Sequence, residues 1–144
     1  AAPRQAAVHR TRRRGAAVVE FAIVVPVFFL LVFGILEFGR MVMVQQIITN
    51  AAREGARTAV LASSTTSQVR TAVSAYLAGA SISGALVSVS PDPPSSATYG
   101  SLVTVTVTIP FTEVSWLPSP FFLGSATLQA NCVMRTEQSQ NSGA

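Results

Sequence analysis

The chain has 144 residues, room for one small folded domain once a membrane segment is subtracted. Hydrophobic residues make up 49% and charged residues 11%, with a mean hydropathy of +0.47, which is high for a freely soluble domain. The net charge of +4 misleads, because Arg4, Arg10, Arg12, Arg13 and Arg14 all precede the first apolar run; the remainder has about as many acids as bases and offers no basic face for nucleic acid.

Residues 1–15 are rich in arginine and alanine, contain Pro3 and lack apolar periodicity, which predicts a flexible basic leader. From Ala16 to Leu36 every residue except Glu20 and Pro26 is apolar or glycine. A helix there spans roughly 30 Å, the thickness of the hydrocarbon layer, so residues 16–36 read as a transmembrane segment. The arginines on its N-terminal flank predict a cytoplasmic N terminus and an extracytoplasmic remainder. No proline interrupts Gly39 to Ala62, where Met43, Ile47, Ala51 and Ala52 recur at helical spacing. One helix over 16–62 is expected, kinked at Pro26 and terminated by Ser63 to Ser67.

Val69, Ala72, Val73, Tyr76 and Leu77 form the apolar stripe of a short second helix ended by Gly79. The period then changes to two. Val103, Val105, Val107 and Ile109 alternate with Thr104, Thr106 and Thr108, and similar alternation occurs over Ala85 to Ser90 and Ala126 to Arg135. Proline and glycine between these runs supply the connections. The expected class is α+β: a long transmembrane helix, then a small extracytoplasmic domain over 63–135 with one amphipathic helix and a three-stranded antiparallel sheet. Residues 136–144 read as a flexible polar tail.

Catalysis finds little material. His9 is the one histidine and lies in the leader, Cys132 falls inside a strand pattern, and Asp92 sits in a proline turn, so no triad and no metal-ligand spacing can be assembled. No enzyme activity, cofactor, metal or small-molecule substrate is expected. Cys132 reads as a small core side chain. Trp116, Phe121 and Phe122 could mark a partner surface, but a loop cluster covering the end of a small core is the preferred reading.

Glu20 is about 7 Å into the apolar run. A carboxylate costs on the order of 2.5–3.5 kcal/mol at the centre of a membrane helix and less near the interface, so it can snorkel or stabilise a helix N terminus. If the chain is cut after Gly15, Ala16 carries a new α-amine one turn away, and Glu20 can pair with that amine or a neighbouring subunit's. Gly34 and Gly39 permit close helix approach; Ala51 with Gly55 and Ala52 with Ala56 make small-residue faces that suit either a second helix or the molecule's own core. Glu37 with Arg40 and Glu54 with Arg57 stand at i, i+3 and are expected to pair locally, each worth ~0.2–0.5 kcal/mol.

The run RRRG, then AAVVEFAIVVPVFFLLVFGILEFGR and QQIITNAAREGAR, with VTVTVTIPF and VMRTE near the end, resembles the TadE-like minor pseudopilins of the tight-adherence (Tad) pilus system. The likeness is close over residues 12–62 and loose beyond them. It implies cleavage by a prepilin peptidase between Gly15 and Ala16, and an inner-membrane anchor able to reach a surface pilus. It also implies work with other pilins and the assembly platform. The alternative is a signal-anchored extracytoplasmic binding domain that never polymerises. Ordinary secretory cleavage does not fit, since the nearest A-x-A, Ala78 to Ala80, lies far beyond the apolar run.

Overall fold

A helix that leaves lipid must change from apolar all round to apolar on one side, and helix α1 (Val8–Ala59) makes that change along its length. The computed structural model describes residues 8–118 and 120–136, with side chains from residue 15 onward. The expectations for residues 1–7 and for the tail after Thr136 lie outside the described residues. The chain divides into two units, residues 1–36 and 37–144, and α1 contributes to both. The helix begins at Val8, ahead of the expected start at Ala16, so part of the arginine-rich stretch is helical. It runs unbroken through Pro26.

In the second unit α1 buries Val44, Ile48, Ala51, Ala52, Ala56 and Ala59, a stripe at three- and four-residue steps. It stops at Ala59 rather than Ala62 because the Ser64 hydroxyl donates to the Ala59 carbonyl at 2.7 Å and Ser63 adopts φ +61°. The next helix starts at once. Thr65 accepts from the Gln68 amide at 3.3 Å while the Gln68 side chain accepts from the Thr65 amide at 2.9 Å, a reciprocal cap for α2 (Thr66–Gly79). Val69, Val73 and Leu77 are buried; Tyr76, expected on the same stripe, is exposed. Helix α2 ends at Gly79, as expected, and the left-handed residue beyond it is Ser81, at φ +56°.

Strands β1 (Leu86–Ser90), β2 (Leu102–Pro110) and β3 (Thr127–Arg135) form an antiparallel sheet in the order β1-β2-β3. The α+β class read from the pattern is therefore the observed one. Val105 stands between Val89 and Cys132, and Val107 between Val87 and Ala130, so one face is a layer of small and branched apolar groups. Val103, Val105, Val107 and Ile109 are fully buried, each worth ~1.5–3 kcal/mol relative to exposure. Thr104, Thr106 and Thr108 alternate with them on the other face. Gly100 and Thr136 extend the β2–β3 pairing with bonds of 2.9 Å, from the Gly100 amide to the Thr136 carbonyl and from the Thr136 amide to the Ser101 carbonyl. The side chains of Thr66 and Asp92 hydrogen-bond, tying the start of α2 to the β1–β2 connection.

Gly55 sets the closeness of packing. A Cβ there would lie 2.6 Å from Val73 Cγ2 and 3.1 Å from Val105 Cγ1, so both α2 and the sheet would have to move. Gly55→Leu should destabilise the folded unit by at least ~1–3 kcal/mol, since overpacking far exceeds the gain of up to ~1 kcal/mol in helix propensity. Gly39→Ala, whose Cβ meets nothing within 4 Å, should show only the propensity gain. Thermal unfolding of the detergent-solubilised protein, followed by near-ultraviolet circular dichroism, checks both. Equal melting of the Gly55 variant and wild type would contradict the packing.

Candidate functional site

The residues singled out in the sequence fall into two places. In the first unit, Gly15, Ala16 and Glu20 are exposed on α1, and Val18, Val19, Phe21, Ile23, Val24 and the apolar residues that follow expose most of their surface. Mean hydropathy reaches 2.7 within α1, and none of that window is buried, so this helix is long and apolar enough to cross a membrane. No described residue pairs with the Glu20 carboxylate. Gly34 is half-buried and Gly39 exposed.

The second unit absorbs the other small residues. Ala51, Ala52 and Ala56 are fully buried in the molecule's own core, and Gly55 packs on Val69, Val73 and Val105. This face of α1 meets α2 and the sheet, which leaves no room on it for a helix of another subunit.

The two charge pairs separate. Glu54 and Arg57 form the local exposed pair expected, with oxygen–nitrogen distances of 2.6 and 3.0 Å. Hydrogen bonding by Arg57 holds the Glu54 carboxyl below its ordinary value and Arg57 above its own. Glu37 and Arg40 do not pair with each other. Glu37 is 1% exposed; its Oε1 accepts from the Phe121 amide at 2.5 Å, and its Oε2 from the Phe122 and Leu123 amides at 3.0 and 3.1 Å. Arg40, 9% exposed, donates from Nε to the Val114 carbonyl at 2.8 Å and lies over the Trp116 ring, 4.8 Å from its centroid. Both ends of the β2–β3 connection are thus fastened to α1. Consecutive amides pointing at one carboxylate satisfy polar groups that have no strand partner.

Sequence reasoning missed this clamp because its partners are more than 70 residues apart. The available signals were a glutamate and an arginine at the end of an apolar run and a proline-rich segment between two strands. The aromatic expectation is corrected too: Trp116, Phe121 and Phe122 are 64%, 60% and 60% exposed, and it is Phe111 and Val114 that close the core. Gln45 adds a bond from Nε2 to the Gln129 carbonyl of β3 at 2.9 Å. Cys132 is a half-buried free thiol. Among the described residues no three His, Cys, Asp or Glu groups could hold a metal.

Residues 15–57 match the model of a family described as TadE-like protein. The matched stretch holds the apolar segment, Glu20, Glu37, Arg40 and the core-facing residues up to Ala56, and ends before α2 and the sheet. It agrees with the resemblance read from the motifs and points to a protein associated with the Tad pilus. No curated protein and no solved structure matches the chain.

Glu37→Ala should leave the Phe121, Phe122 and Leu123 amides without their acceptor, costing ~1.5–3 kcal/mol for hydrogen bonds to a buried charge. Amide hydrogen exchange at those three residues should accelerate while the β2–β3 ladder stays protected. Glu54→Ala should leave their exchange unchanged. Undiminished protection in the Glu37 variant would show that the loop is held by something else.

Proposed function

We propose that this chain, TadE-like over residues 15–57, is a minor pseudopilin: a membrane-anchored, non-catalytic structural subunit for assembly of a Tad-type adhesive pilus. The observation that carries the reading is the exposed apolar stretch of α1 that follows Gly15, carries Glu20 near its start and leads along the same helix into residues that form the core of a small folded unit. An anchor alone needs the apolar residues but not the carboxylate. A subunit that must leave lipid for a packed bundle has a use for both. Its partners on this reading are other pilins and pseudopilins, the prepilin peptidase and the assembly platform.

Processing takes place between Gly15 and Ala16, with the leader inside the cell and the sheet unit outside, as the arginine asymmetry favours. That bond lies within α1, so the peptidase must open the helix locally; glycine, ~1 kcal/mol poorer than alanine in a helix, makes it the easiest place to open. Gly15→Leu should leave full-length precursor in cells carrying the peptidase, whereas wild type should yield Ala16 on N-terminal sequencing. A wild-type protein that keeps residues 1–15 in those cells would refute the processing step.

Glu20 serves assembly by neutralising an α-amine in the membrane, its own or a neighbour's. Glu20→Gln keeps the size and removes the charge, so insertion and cleavage should persist, since an amide costs less in hydrocarbon than a carboxylate. Recovery of pilus partners with the mature variant should fall, because a buried amine left without its counter-charge can cost ~3–5 kcal/mol. Surface pilus counts in a strain lacking the wild-type gene give the second readout. Normal partner recovery and normal piliation would reduce Glu20 to a carboxylate that snorkels to the headgroups.

A further inference from the structure

We infer that the loop carrying Trp116, Phe121 and Phe122 is a second membrane contact, seated in the headgroup region beside the point where α1 leaves the bilayer; this rests on the reading of α1 as a membrane anchor. The apolar run of α1 ends at Leu36, and Glu37 and Arg40 follow within about one helical turn, ~5 Å of rise. These are the two residues to which the loop is fastened: Glu37 holds the amides of Phe121, Phe122 and Leu123, and Arg40 holds the Val114 carbonyl and stacks on Trp116. The loop is therefore fastened to α1 at the level where the apolar run ends.

Its chemistry suits that level. Trp116, Phe121 and Phe122 each expose 60% or more of their surface within one loop, which a freely dissolved domain would not favour. Residues 114–134 contain no charged side chain. The charges to which the loop is bonded, Glu37 and Arg40, are buried, so they do not hold it in water; the exposed Glu113 precedes the loop. Tryptophan and other aromatic rings favour the region between headgroups and acyl chains, where an apolar body and a polar edge are both accommodated. A protein partner would have to find its register on this loop with no charge to direct it, whereas lipid needs none.

Trp116 is the single tryptophan, so its emission reports this loop alone. The full chain is reconstituted without partners into phosphatidylcholine vesicles containing lipid brominated near the glycerol end or near the chain terminus of the acyl tail. Trp116 emission should be lost most with bromine near the glycerol end and should resist iodide added to the buffer. Emission insensitive to both brominated lipids but quenched by iodide would overturn the inference, including the case in which Trp116 is shielded only after partner subunits are added. Stronger quenching from the chain terminus would also overturn it, by placing the loop in the bilayer interior. Vesicle flotation separates the two readings: protein that floats with a water-exposed Trp116 refutes only the loop contact, and protein that fails to float refutes the anchor along with it.

Discussion

The closeness with which α1 approaches its neighbours at Gly55 is the constraint on which the folded unit depends. With no side chain at that position and alanines at 51, 52, 56 and 59, the valines of α2 and β2 supply the volume that fills the space between backbones. Branched side chains on the sheet suit this arrangement, because they are large at the β-carbon and have few rotamers to lose. A larger group on α1 would separate α2 from the sheet, since both meet the same glycine. Small residues that could have packed a neighbouring subunit's helix are consumed in packing α2 and the sheet.

One helix meets two environments, and its residue choice changes accordingly. Before Leu36 the large exposed side chains, Glu20 and Pro26 apart, are Val, Ile, Phe and Leu, a pattern tolerable only against lipid or other apolar helices. From Glu37 onward the buried positions fall on one stripe; Phe38, Val42 and Met43 are still exposed near its start, and Gln45, Asn50, Arg53, Glu54 and Arg57 lie off the stripe further on. Within lipid an unbroken helix is also the arrangement that satisfies its own backbone groups, Pro26 excepted.

Much of this architecture was legible because it rests on short-range periodicity. Val103, Val105, Val107 and Ile109 alternate with threonines, and that alternation sets which face is buried and, through it, the strand register. Val69, Val73 and Leu77 identify the second helix in the same way. What escaped involves residues distant in sequence. Glu37 and Arg40 stand at the spacing of a local ion pair, and nothing in that spacing distinguishes a partner three residues away from backbone groups in the β2–β3 connection. The same connection explains the misjudged aromatics, since the loop is drawn to α1 by its backbone and its rings are left outward. The end of α1 moved by a few residues for a related reason: Ser63 and Ser64 provide a turn through φ and hydroxyl bonding that composition does not announce. For the candidate site, the sequence displayed Gly15, Ala16 and Glu20 as a motif, while the inward turn of Ala51 and Gly55 needed the fold.

The clamp at Glu37 and Arg40 also has a mechanical meaning. A tension applied between the sheet and the anchor must pass into α1, and the contacts nearest the membrane end take the strain first. There the chain presents four hydrogen bonds, three to the carboxylate and one from the guanidinium, gripping two points of a single connection. Bonds loaded side by side share a force that would rupture them one after another if they were met in series. The folded unit therefore resists peeling from its helix at the end where peeling would begin.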